Sequence, residues 1–445
     1  MKIIENIKKS EFWASVIKLS AGKLIAQGIT LAAALVLSRI YTDSDYGTYG
    51  VITSTASIII SVISLAMGSA IMVADTDEDS KRVFTVAYYS QLLLLMLALL
   101  GMVALMPVKR FFETNIPYLA ALGLMGLHIA LNTLSTMTGV YINRMKLNNV
   151  LFWNSLISAG CTVFISIPLG LLGFGFVGLL LASIMAEALC TIQMLRAATP
   201  FKRIRSFAEV KKTFSDCKKF ILFQYPSNMM GTFSNNLPDQ TLYNRFGDAA
   251  LGSYTMCNRV FNMPLQLVVA PIQTVYFRTA AQMRDQKEEL ADFTYGFLKK
   301  LMLIAALPII ACMAFGEYIF GFVLGWQWTE AGIIAAIMCP YFLFWFCYNC
   351  ITYLRVAIGY QKINLYTTLF QLISVLAALA ISAAVGGGTI VTICIFSGVN
   401  ALISLANIVV SFACMKRNYW KYLAFSVFYL IICGGVSCAI RYMIY

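Results

Sequence analysis

The chain is written in long apolar runs, such as 92–106 and 373–385, separated by short polar turns. A helix that crosses a bilayer needs about 20 mostly apolar residues. The runs predict thirteen such helices, over 14–38, 47–73, 84–106, 118–142, 150–171, 174–198, 219–244, 250–277, 294–316, 331–354, 363–384, 389–414 and 422–441. A transmembrane β-barrel would instead show alternating segments of about ten residues. The predicted fold class is therefore an all-α polytopic membrane protein. Connections are short, the longest being 199–218, which leaves no room for a soluble domain.

Within several predicted helices the polar residues share one face. In the seventh, Gln224, Asn228, Gly231, Asn235 and Asp239 fall within an arc of about 80°, at about 100° per residue. In the eighth, Thr255, Arg259, Asn262, Gln266 and Gln273 span about 60°, and in the first Ser20, Lys23, Gln27, Thr30 and Ser38 span about 80°. Amides and charges facing lipid are costly, so these arcs face other helices or water. The second helix carries only small residues on its stripe (Ser54, Ser57, Ser61, Ser64, Gly68), which suits close helix packing. The stripes of helices 1, 7 and 8 hold bulkier groups and charges, which suit a hydrated cavity. Lys18 lies on the opposite side of helix 1 and is placed to snorkel to the interface.

A cavity lined by Lys23, Arg259 and many amides suits an anionic group rich in hydrogen-bonding positions, such as a phosphate–sugar head. A cationic drug would call for carboxylates and aromatic rings instead. Two carboxylates fall inside predicted spans. Glu187 has Ser183 and Thr191 one turn to either side, and is open to two readings, a protonated hydrogen-bonded acid or an ion-coupling site. Asp239 has the same two readings, with a pairing to Arg245 or Arg259 as its structural one. His128 shares a face with Asn132, Ser135 and Gly139, which reads first as interhelical hydrogen bonding and second as cavity lining.

Composition narrows the function. Of 445 residues 60% are hydrophobic and only 12% charged, against about 25% in a soluble chain. That excludes a soluble enzyme, a disordered protein and a nucleic-acid-binding module, despite a net charge of +13. With the N-terminus in the cytoplasm, about 25 of the 33 Lys and Arg fall in cytoplasmic segments and about five (Arg39, Lys109, Arg110, Arg245, Arg441) in external ones. The linker then lies inside, with its Lys202, Arg203, Arg205, Lys211, Lys212, Lys218 and Lys219 acting as a topological anchor or docking to anionic lipid. No cleavable signal peptide is evident, because the first apolar segment is too long and lacks a small-residue cleavage site. Most cysteines lie in the spans, and Cys347-Tyr-Asn-Cys350, with no second pair or His beside it, reads as packing. No phosphate-binding loop, G-x-S-x-G or H-E-x-x-H occurs. No catalytic residue, metal site or cofactor is expected.

The sequence repeats itself. Helix 1 ends Ser38-Arg39-Ile40-Tyr41 and helix 2 opens Tyr46-Gly47-Thr48-Tyr49; helix 7 ends Asn244-Arg245-Phe246-Gly247 and helix 8 opens Leu251-Gly252-Ser253-Tyr254. An even number of helices separates the two junctions, so the halves have the same orientation. Two six-helix lobes in a parallel pseudo-twofold repeat follow, a transporter architecture. The expected divisions are an N-terminal lobe 1–198, a basic linker 199–218, a C-terminal lobe 219–416 and an extra helix 417–445.

Lys23-Leu-Ile-Ala-Gln27-Gly28, followed by Leu37-Ser-Arg39-Ile-Tyr41-Thr-Asp-Ser-Asp45-Tyr-Gly47, resembles the start of Wzx-type O-antigen and capsule flippases. So do Tyr225-Pro226, Leu237-Pro238, Phe246-Gly247, Gly252-x-Tyr254, Asn258-Arg259-Val260 and Pro264, and then Phe322-Val-Leu-Gly325-x-x-Trp328-x-x-Ala331-Gly332. Asp43-Ser44 departs from that pattern where a Pro is common, and a thirteenth span departs from the usual twelve. The resemblance implies the fold of the multidrug/oligosaccharidyl-lipid/polysaccharide (MOP) exporters, which includes the MATE drug exporters. It also implies flipping of undecaprenyl-pyrophosphate-linked oligosaccharide to the outer leaflet of a bacterial cytoplasmic (inner) membrane, for O-antigen or capsule assembly. Membrane lipids and the polysaccharide polymerase complex are then the candidate partners. Lys23, Gln27 and Arg259 are where the family motif and the polar stripes coincide, whereas Asn228, Asn235, Asn262, Gln266, Glu187 and Asp239 rest on the stripes alone. The rival functions are a MATE-type drug/cation antiporter, a membrane enzyme such as a sugar polymerase or acyltransferase, and a scaffold. A carboxylate-rich cavity would mark the first and a large external loop the second.

Overall fold

The computed structural model describes residues 22–106, 112, 114, 116–204, 206–283, 286–358, 360, 362–416 and 420–444. Lys18, Ser20, Lys109, Arg110 and Arg205 lie outside the described residues, as does the side chain of Gln266. Among the described residues every regular element is helical. They are α1 (Gly22–Ile40), α2 (Asp43–Ile63), α3 (Met67–Val73), α4 (Asp77–Leu105), α5 (Tyr118–Arg144), α6 (Asn148–Leu171), α7 (Phe176–Ala197), α8 (Phe207–Asp216), α9 (Tyr225–Gln282), α10 (Lys287–Leu324), α11 (Thr329–Cys350), α12 (Leu354–Ala357), α13 (Lys362–Val385), α14 (Thr389–Cys414) and α15 (Trp420–Ile444).

Eleven of the described helices are long and apolar enough to cross a membrane, so the chain is a multi-pass membrane protein. The two further predicted spans, the seventh and eighth, are the arms of α9, which break at Gly247 with φ 86°. Their amides and charges lower their hydropathy, yet each arm is long enough to cross. Among the described residues every predicted span is met by a helix.

The chain divides into two compact units, Met1–Asn236 and Leu237–Tyr445, with the boundary inside the first arm of α9, just before Pro238. In the first unit α5 packs on α7 and α7 on α6, with α2, α3 and α4 against α5. Thr42 caps α2 and Thr76 caps α4, each accepting from the backbone N–H three residues on. Asp77, Glu78 and Asp79 fill the first turn of α4, where the helix dipole favours anions. Basic groups gather on them. Lys202 meets Glu78 at 2.9 Å, Arg144 meets Asp77 at 3.4 Å, and Arg82 bridges Asp79 and Asp216 at 3.1 and 2.8 Å. With Phe201 packed edge-on against Phe84, these pairs hold the linker onto the first unit. The linker itself forms a short helix, α8, that the apolar pattern did not announce.

One predicted helix is interrupted. The span expected over 47–73 is two helices, because Leu65 and Ala66 take left-handed φ of 49° and 53°. Such a backbone costs about 1–2 kcal/mol per L-residue. Neighbours hold the carbonyls and the hydroxyl around the break. Tyr225 Oη donates to the Val62 carbonyl at 2.8 Å, Gln91 Nε2 to the Ser64 carbonyl at 3.0 Å, and Gln224 Nε2 to Ser69 Oγ at 2.9 Å.

In the second unit α11 packs between α10 and α14, around a fully buried Trp328, Met338 and Cys339. Cys347 and Cys350 are buried in the same helix. The extra helix α15 lies along α10. Tyr429 Oη donates to the Met302 carbonyl at 2.7 Å, and Arg441 Nε to the Ala314 carbonyl at 3.1 Å, with Glu317 3.4 Å from Arg441.

Candidate functional site

In the first unit Lys23 is exposed on α1 and Gln27, one turn on, is half-buried. Asn228 and Asn235 are exposed on the first arm of α9, while Gln224 at the start of that stripe is engaged with Ser69. Lys23, Asn228 and Asn235 are therefore not packed into helix contacts. The small-residue stripe of α2 behaves differently. Ser54 and Ser61 are buried, and both return their hydroxyls to their own helix, to the Val51 and Ile58 carbonyls. In the second unit Asp239, Arg259 and Asn262 are half-buried, and Gln273 Nε2 donates to the Asn349 carbonyl at 2.8 Å. Gln266 belongs to this stripe by sequence only.

The two carboxylates have different settings. Glu187 on α7 is held by α5. Asn132 Nδ2 donates to its Oε1 at 2.7 Å, and His128 Nδ1 lies 3.0 Å from its Oε2. The interhelical hydrogen bonding expected of the His128 face is thus directed at Glu187. Asp239 stands apart from Arg245. That guanidinium reaches Ser382 instead, at 3.2 Å to Oγ and 3.4 Å to the carbonyl, and lies over the Phe246 ring.

One residue that the polar stripes missed is Arg355, at α12. It is 1% exposed and its guanidinium meets neutral acceptors throughout. Nε donates to Ser411 Oγ, Nη1 to Asn364 Oδ1 and Thr367 Oγ1, and Nη2 to both the carbonyl and Oδ1 of Asn407, over the face of Tyr348. Each N–H of the fork is matched, so the buried charge is solvated by the protein. The signal was present in sequence as a basic residue just past an apolar helix, which positive-inside reasoning absorbs as an anchor.

The two repeat junctions are also built. Between α1 and α2, Tyr41 Oη donates to the Ser166 carbonyl of α6 at 2.6 Å. Asp45 accepts from the Thr42 N–H at 3.0 Å and, through its other oxygen, from the Phe176 N–H of α7 at 2.9 Å. A cavity of about 410 Å³ opens beside this turn, lined by Tyr41, Asp45, Gly170, Phe174 and Phe176 among others. At the Gly247 joint of α9 the corresponding clasp is the Arg245–Ser382 contact.

The sequence pattern of a family described as polysaccharide biosynthesis protein matches residues 36–333. The chain belongs to that family. The chain is 24% identical over 372 residues to the succinoglycan biosynthesis transport protein ExoT of Rhizobium meliloti (strain 1021), covering 80% of this chain and 71% of the relative. In three dimensions it is similar to the lipid II flippase MurJ in an inward closed conformation, with TM-score 0.69 at 12% identity, over 96% of this chain and 99% of that one. An inward-facing MATE multidrug transporter of the MOP superfamily superposes with TM-score 0.66 at 13% identity, over 90% and 99% of the two chains. The family member therefore has the MOP-type fold expected of it, and the relatives it is similar to are transporters and flippases.

Proposed function

We propose that the protein is a flippase that moves undecaprenyl-pyrophosphate-linked oligosaccharide from the cytoplasmic to the outer leaflet of a bacterial inner membrane, for O-antigen or capsular polysaccharide assembly. The observation that carries this reading is a set of exposed polar side chains, Lys23, Asn228 and Asn235, on the helices of the first and seventh predicted spans, in a chain of the polysaccharide biosynthesis family. In this proposal Lys23, Gln27, Asn228, Asn235, Arg259, Asn262 and Gln266 contact the pyrophosphate and sugars. Lobes 1–198 and 219–416, joined by the linker 199–218, expose them to one side and then the other by alternating access. The N-terminus is cytoplasmic, and the prenyl tail stays in lipid. An inside-negative potential favours outward movement of an anionic head by about 2.3 kcal/mol per charge per 100 mV. Lys23 and Arg259 offset part of that charge, while Glu187 and Asp239 are the ion-coupling candidates.

A drug/cation antiporter is the second reading, favoured by the fold likeness to MATE transporters. Two cations against one carboxylate, Asp239, on the stripes of helices 1, 7 and 8 argue against it. The test is transport of a fluorescent lipid-linked oligosaccharide in reconstituted vesicles. Lys23→Ala and Arg259→Ala are each expected to lower the rate at least tenfold at normal protein levels, and Lys23→Arg to be milder because the charge remains. Alanine variants that transport at the parental rate would overturn the assignment of these residues. Export of cationic dyes in place of the lipid would favour the second reading.

A further inference from the structure

The Glu187 cluster holds more chemistry than a structural hydrogen bond. It lies at the contact of α5 with α7, mid-helix on both, in the first unit. Asn132 fills one carboxylate oxygen. The other, Oε2, faces His128 Nδ1 at 3.0 Å, with both atoms shut off from solvent and no well-aligned hydrogen bond formed between them. Two bare acceptors at that distance repel, so the contact requires a proton on one of them. A neutral imidazole beside an ionised carboxylate gives the pair a single negative charge, and one further proton, on nitrogen or oxygen, makes it neutral. An uncompensated charge is costly among apolar helices.

The surroundings leave the pair to itself. Among the described residues no Lys or Arg pairs with either group. The charged side chains of α4 lie in its first turns and pair there with one another, with Arg144 at the far end of α5, and with the linker. The Cys190 thiol on α7 interacts electrostatically with Glu187 and with Cys161 of α6, and donates to the Asn154 carbonyl. The Glu187 side chain keeps 17% of its exposure and that of His128 10%, so the pair is not sealed entirely within the helix contact.

We propose that His128 and Glu187 form one proton-binding site, loaded from water and unloaded to water once per transport cycle. The step forms one N–H or O–H bond with a proton from the aqueous phase, and breaks it again on release. This rests on the transport reading above, and gives its coupling ion a chemical identity and a second residue.

His128 is the single histidine of the chain, so histidine-selective isotope labelling of the full protein, purified without a histidine tag, yields one imidazole signal. The signal is expected to change with pH, and to change differently in Glu187→Gln, which keeps the size and the Asn132 contact. If Glu187→Gln does not accumulate, Asn132→Ala serves, because losing a donor to the carboxylate must also alter the response. A signal that ignores pH, or responds identically in parent and variant, would overturn the shared site. In vesicles, His128→Gln should abolish the dependence of transport on an imposed pH gradient, while movement down a substrate gradient persists; unchanged dependence would also overturn it. Vesicles of the parental protein that move no lipid-linked oligosaccharide would defeat the transport reading and leave the spectroscopic result standing.

Discussion

The α1–α2 turn and the Gly247 joint of α9 hold the same place in the two halves of the repeat, and each reaches across to a serine near the end of a later helix. Ser166 precedes Gly170 by one helical turn, and Ser382 precedes Gly386 likewise. The chemistry of the clasp differs. Tyr41 is 1% exposed and donates a short bond, whereas Arg245 is exposed and makes longer ones. Asp45 adds a carboxylate that caps two helices at once. A buried hydroxyl and a shared cap fix one geometry, while a long guanidinium on the surface tolerates many. The repeat has thus kept the position of the contact and changed its stiffness.

That contrast can be broken from the tight side. A Cβ at Gly170 would stand 2.5 Å from Ile40 and 2.7 Å from the Tyr41 ring. Because Tyr41 is buried and cannot swing away, Gly170→Val should destabilise by about 3 kcal/mol, seen as the largest drop in thermal midpoint in detergent. A midpoint near the parental one would mean that the turn yields as readily as its counterpart. Asp45→Ala removes the acceptor for two helix starts and is expected to cost about 2 kcal/mol in the same measurement. The smallest effects form a pair. Tyr41→Phe should cost about 1 kcal/mol, and Arg245→Ala about 0.5 kcal/mol, because an exposed contact exchanges with water. Equal losses for these two would erase the difference in stiffness.

Much of the fold was legible because lipid imposes a simple rule on sequence. Long apolar runs mark the spans, and even the polar arms of α9 were readable from their one-sided stripes. The break at Leu65–Ala66 was not legible, since neither residue is a glycine and tertiary contacts from Gln91, Gln224 and Tyr225 hold it. The stripes likewise show which face of a helix is polar but not what it meets. Glu187 looked isolated because its partners, His128 and Asn132, lie on a helix two spans earlier. Arg355 was hidden because its acceptors are a backbone carbonyl and small neutral side chains, which carry no charge pattern to read.

The double duty of Asp45 has a consequence for the order in which the protein is made. Its contacts with Thr42 lie three residues away and can form as soon as α2 leaves the ribosome. Its contact with Phe176 spans 131 residues and must wait for α7, four crossings later. Synthesis runs from the N-terminus, and distant closures follow local ones. The local cap of α2 therefore stands formed with one Asp45 carboxylate oxygen still unmatched, until the Tyr41 hydroxyl meets α6 and the N-terminus of α7 docks on that oxygen.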